Sequence, residues 1–232
     1  MGISEDAVIG NSSLSIEEKA FVVSSLNDIQ KKRCGIFAEG TTFGFTSVSD
    51  GTIMKCDLFS VNVSTAKYKL NDGTIFSPAE ELLSALRKLK NGNAMTFYEE
   101  YMIESVYHES VHSLYRVEIP KLKKNTIEER ILETCTQLYA RVNYKKILNL
   151  YGVAADNYNI IQTSGLGYKN ACLAIREYFM KDGQMDIGEL LQYAKGNNSI
   201  YTFIKKLDGM GIDKTTKQKI FKNLNGQNHD YK

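Results

Sequence analysis

The stretch that most constrains this chain runs from Thr96 to Tyr115, TFYEEYMIESVYHESVHSLY, a long helical pattern with two histidines four residues apart. Thr96 and Glu99 have the spacing of a capping box, in which each side chain satisfies the other's backbone N–H at a helix N-terminus. Tyr98, Met102, Ile103, Val106, Val111 and Leu114 recur near the helical period as an apolar stripe, and Pro120 stops the pattern. A second, more polar stripe holds Tyr101, Ser105, His108, His112 and Tyr115. Residues four apart on a helix lie one above the other, about 6 Å apart along the axis. His108 and His112 therefore present two imidazoles from one face.

Two imidazoles so placed can converge on one Zn²⁺, with Zn–N distances of about 2.0–2.1 Å. Glu109 follows the first of them directly, and so stands beside such an ion rather than on it. A carboxylate there can take a proton from water that the metal has acidified, which makes Glu109 the expected general base for hydrolysis. The bland alternative is a helix whose two histidines share a face beside a solvated glutamate. The chain has only 3 histidines and two of them form this motif, within independent helical signals. Those signals favour the metal.

His108-Glu109-Ser110-Val111-His112 resembles the motif of the zincin metallopeptidases, and the stretch from Tyr101 to Arg141 resembles the gluzincins among them. The resemblance implies a zinc peptidase acting on a peptide or protein substrate, with Glu109 as base. It also implies a third zinc ligand, a glutamate near the start of the next helix. Glu133-Thr134-Cys135-Thr136-Gln137-Leu138 matches that local pattern, and Thr136 and Ala140 on the same side would let the two helices approach closely. Glu129, one turn earlier, is the alternative ligand or a group orienting one, and Glu128 stays open. Ser110 departs from the apolar residue common at that place. Tyr101 and Tyr115 are the candidates to stabilise an oxyanion. The run Glu133 to Arg141 also resembles sequences in phage head-associated or prophage proteins, which implies the alternative of a catalytically silent zincin-like structural module.

The remainder bounds the answer. A chain of 232 residues can bury a proper core without disulfides. Cys34, Cys56, Cys135 and Cys172 form no CxxC pair and read as reduced core or boundary residues. No apolar run is long enough for a membrane span, and the N-terminus lacks a signal-peptide pattern, so a cytoplasmic chain is expected. A net charge of +2 makes no case for nucleic acid. The lysines at 121–124 and 214–222 read as solvated faces.

The expected class is α+β: a zincin-like domain over 1–151, with a small antiparallel sheet and the motif helix, followed by an all-helical part over 152–232. Met1 to Ser13 reads as loose. Ser15 to Glu18 is a second capping box, opening a helix to about Lys31. Short strands are expected within 35–70, with a hairpin turn at Ser49-Asp50-Gly51. By resemblance, an edge of this sheet would hold an extended peptide. Ser77-Pro78 opens a helix that Gly92 closes. Asn125 or Thr126 caps another, to about Leu150. Beyond Gly152, helices are expected at 168–180, 187–194, 200–207 and 214–224.

Overall fold

Both expected capping boxes form. Thr96 N–H donates to Glu99 Oε2 at 2.6 Å while Glu99 N–H donates to Thr96 Oγ1 at 3.3 Å. Ser15 and Glu18 make the same reciprocal pair at 3.0 and 3.2 Å. These local bonds fix the starts of α1 (Ile16–Lys31) and α3 (Phe97–Leu114), with α2 (Pro78–Asn91) between them in sequence. Ser77 is the N-cap of α2, but its side chain makes no cap bond. Pro78 supplies the preset φ instead, and Gly92 closes the helix in the left-handed region at φ 70°. The computed structural model describes residues 3–11, 14–32, 54–55, 60–61, 66–114, 126–177, 187–194 and 200–225.

The described residues are mostly helical with small antiparallel sheets, an α+β composition. One sheet has the order β1-β4-β5, from β1 (Ile3–Asn11), β4 (Ala66–Leu70) and β5 (Ile75–Phe76). A separate pair joins β2 (Met54–Lys55) and β3 (Ser60–Val61). The N-terminal segment, expected to be loose, is thus a strand. Val8 and Ile9 supply strand propensity, and the pairing with β4 carries two register shifts, between Ile3 and Val8 and between Val8 and Gly10. The Ser49-Asp50-Gly51 turn lies outside the described residues, as do Cys34 and Cys56.

Thr126 caps α4 (Ile127–Asn143), accepting from Glu129 N–H at 3.3 Å. Helix reaches Leu150 as expected, interrupted only at Tyr144, which keeps right-handed dihedrals (φ −57°, ψ −26°) between α4 and α5 (Lys145–Leu150). Tyr144 is buried and its hydroxyl is drawn to Glu100, an interaction that no local pattern shows. Next come α6 (Tyr158–Ser164), α7 (Lys169–Ile175), α8 (Ile187–Ala194), α9 (Ile200–Gly209) and α10 (Lys214–Asn225).

Two apolar clusters result. The first gathers α1, α2, α3, α5 and α6 against Leu70 and Phe76 of the sheet. The second joins α7 to α10 with Ile131, Cys135 and Leu138 of α4. Ala140 belongs to the first cluster, so α4 is covered on two sides. Cys135 and Cys172 are free thiols in the second. Among the described residues no helix is long and apolar enough to cross a membrane.

Candidate metal centre between two helices

The apolar stripe of α3 is as expected: Met102, Ile103, Val106 and Val111 are buried. Its other inward face is a column of ionisable groups four residues apart, Glu100, Glu104 and His108. This column meets a second one on α4. His108 Nε2 lies 3.2 Å from Glu133 Oε2. Gln137 Nε2 donates to Glu104 Oε1, and Arg141 Nε is 3.7 Å from the same oxygen. Tyr144 O–H donates to Glu100 Oε1 at 2.5 Å. As the α3 partner advances from 100 to 108, the α4 partner retreats from 144 to 133. The helices therefore run antiparallel with a polar ladder between them.

The ladder is unusual in its depth. Glu100, Glu104 and Arg141 are fully buried, and His108 is 6% exposed. Charges are rarely placed so deep unless they are paired, because desolvation costs several kcal/mol per ion. Burial raises the Glu104 pKa to about 7 against the opposing influence of Arg141, His108 and Gln137. Burial would depress His108, but its bond to Glu133 and the charges of Glu109, Glu133 and Glu104 prevail and raise it to about 8. The balance in the metal-free chain thus favours the protonated imidazole, paired with Glu133.

The structure brings together some of the expected site residues. His108 and Glu133 meet directly. Glu109 is half-buried on α3, close enough for its charge to act on His108. His112 occupies the next turn of α3, but its side chain lies outside what the structure describes. Glu129 is half-buried one turn before Glu133 and takes part in the cap of α4 through its backbone N–H. Among the described residues no group of three or more His, Cys, Asp or Glu is gathered for a metal. Tyr115 lies outside the described residues.

Tyr101 is occupied elsewhere. Its ring is buried beside Phe76 and Phe97, and its hydroxyl accepts from Gly167 N–H at 3.0 Å. That bond belongs to a clamp on the segment linking α6 to α7. Arg141 Nη2 donates to the carbonyls of Gly165, at 3.0 Å, and Gly167. The approach is closest at Gly165 and tight at Gly167. A Cβ on Gly165 would sit 2.9 Å from the Ile161 carbonyl oxygen, and one on Gly167 would sit 3.1 Å from Gln137 Oε1.

The clamped segment delivers Tyr168, the only non-glycine residue with positive φ among the described residues, at φ 50° and ψ 29°. Burial is the main influence holding its phenol protonated, followed by the charges of Glu133, Glu129 and Glu109. This strained residue, within electrostatic reach of Glu133, Glu129 and Glu109, is one that the sequence reading did not single out. Strain of about 1–3 kcal/mol at such positions tends to accumulate near functional sites. Glu104, Gln137 and Arg141 were also missed. Their signal was present, since Glu100, Glu104 and His108, like Glu133, Gln137 and Arg141, recur every four residues.

The spacing of His108 and Glu133 fits a shared zinc ion. Two ligand atoms each about 2.0–2.1 Å from a tetrahedral Zn²⁺ are about 3.3 Å apart, so 3.2 Å matches one edge of such a site. Nitrogen and carboxylate oxygen are both ordinary zinc donors. Compared with protein-family models, with curated proteins and with solved structures, the chain finds no match in any of the three.

Proposed function

We propose that the chain is a zinc-dependent peptidase of gluzincin type, with His108, His112 and Glu133 holding the ion and Glu109 as general base. The observation that supports this most is the approach of His108 Nε2 to Glu133 Oε2 at 3.2 Å, between residues far apart in sequence. A bound zinc would polarise the scissile carbonyl and acidify a water. Glu109 sits one residue from a ligand and is half-buried, so its carboxylate can take a proton on the reacting side and return it to the leaving amine. Tyr168 keeps its proton within electrostatic reach of Glu133 and Glu109, so it replaces Tyr101 and Tyr115 as the candidate donor to a developing oxyanion. The ladder below His108 is buried from bulk solvent at the back of the site.

A second reading is a non-catalytic zincin-like module, in which the His108–Glu133 contact is only an ion pair. The raised pKa of His108 favours that pair in the metal-free chain. Metal analysis of chain purified without added zinc, together with cleavage of a peptide library, separates the two. About one zinc per chain with cleavage is expected for the enzyme. Zinc without cleavage, or no zinc at any concentration tested, would sink the enzyme and leave the module.

A further inference from the structure

We propose that Glu104 is a positioning residue for His108: in the zinc-loaded protein its Oε2 accepts a hydrogen bond from His108 Nδ1–H and aims Nε2 at the metal. This rests on the reading of His108 as a ligand. Glu104 precedes His108 by one helical turn on the same face of α3, and helical side chains lean toward the preceding turn. Nε2 points across the interface to Glu133, so the opposite ring nitrogen points away from α4's carboxylate.

The chemistry of Glu104 leaves this role open. Its carboxylate is fully buried, an expensive placement, yet only one oxygen is used. Oε1 takes both Gln137 and Arg141, whereas Oε2 has no hydrogen-bond partner among the described residues. A carboxylate kept only to neutralise Arg141 is accounted for by Oε1 alone. The second oxygen is what a histidine ligand requires, because its non-ligating N–H is ordinarily fixed by a carboxylate, carbonyl or water. The charges of Glu104 and His108 also influence each other, which agrees with their proximity.

The test is zinc titration against a competing chelator into the full chain, with circular dichroism as the fold control. Glu104→Gln is expected to weaken zinc binding about 10- to 100-fold without loss of helix. Should that variant fail to fold with Arg141 unpaired, the Glu104→Met/Arg141→Met double variant removes the buried pair together and should show the same loss, while Arg141→Met alone should not. A purely structural role would not move a second readout: in the zinc-loaded wild type, ¹⁵N-labelled histidine should show a hydrogen-bonded His108 Nδ1–H protected from exchange, and this protection should vanish in the variant. Wild-type zinc affinity in both Glu104 variants, or an unprotected Nδ1–H in the wild type, overturns the proposal. His108→Ala binding zinc as tightly as wild type would instead remove the site reading itself, and the proposal with it.

Discussion

His108 Nε2 and Glu133 Oε2 face each other at 3.2 Å across the interface of α3 and α4, 25 residues apart in the chain. Their contact makes metal-free stability and zinc affinity respond to pH in opposite directions. The folded-state pKa of His108, about 8, lies above its ordinary value of 6.5. The native state then binds the proton more tightly than the unfolded chain does. The stabilisation, on the order of 2 kcal/mol, is fully present below about pH 6.5 and is lost as pH rises through about 8. Zinc needs the neutral imidazole, so its affinity should rise over the same interval. Thermal melts of the metal-free chain between about pH 7 and 9 should fall with pH, and less steeply for Glu133→Gln. A flat wild-type profile would refute the pairing. The part due to Glu104 lies lower, since its raised pKa removes stability between about pH 4.5 and 7.

Glu109→Gln is expected to retain fold and zinc while abolishing hydrolysis. The change removes proton transfer but no ligand. Wild-type turnover by this variant, in a peptide-library assay, would remove Glu109 as base.

The two candidate glutamates on α4 separate by their zinc affinities. Glu133 is in reach of His108, while Glu129 stands one turn away in the capped first turn of α4. Glu133→Ala should therefore lose more affinity than Glu129→Ala in a chelator competition, with Glu129→Ala falling at most about 10- to 100-fold. The reverse order would shift the ligand by one helical turn.

Much of this architecture was legible because it is local. Capping boxes at Ser15 and Thr96, Pro78 after Ser77, and Gly92 in the left-handed region are decided within a few residues, and the structure has them where the pattern put them. The bond from Tyr144 to Glu100 was not legible, because its partner stands on another helix. Glu104 and Arg141 escaped notice for a different reason. A lone glutamate or arginine on a helix is normally read as solvated, and only the matching column on the partner helix makes burial affordable. Tyr168 escaped because a left-handed tyrosine has no sequence signature.

Tyr168→Phe tests the residue that strain reveals. If the phenol donates to the oxyanion, kcat should fall about 100-fold or more with KM little changed. Tyr101→Phe removes the acceptor of Gly167 N–H and should instead lower stability. Equal kcat in wild type and Tyr168→Phe would exclude the donor role.

Gly165→Ala should destabilise the chain by about 1–3 kcal/mol, because the new methyl meets the Ile161 carbonyl oxygen at 2.9 Å with Arg141 behind it. Gly209→Ala, where a Cβ would meet nothing within 4 Å, is the matched control. Denaturant melts showing equal midpoints for the two variants would contradict the clamp.

Because α4 lends Ile131, Cys135 and Leu138 to one apolar cluster and Ala140 to the other, neither half of the chain can open without uncovering the helix that carries Glu133. A fragment ending near residue 151 would keep every proposed zinc ligand and still expose three apolar side chains of α4 to water. Proteolysis within the last helices would then disturb the proposed zinc site from a distance. Conversely, the amides of α4 should be among the slowest in the molecule to exchange with solvent, since their release requires both clusters to come apart together.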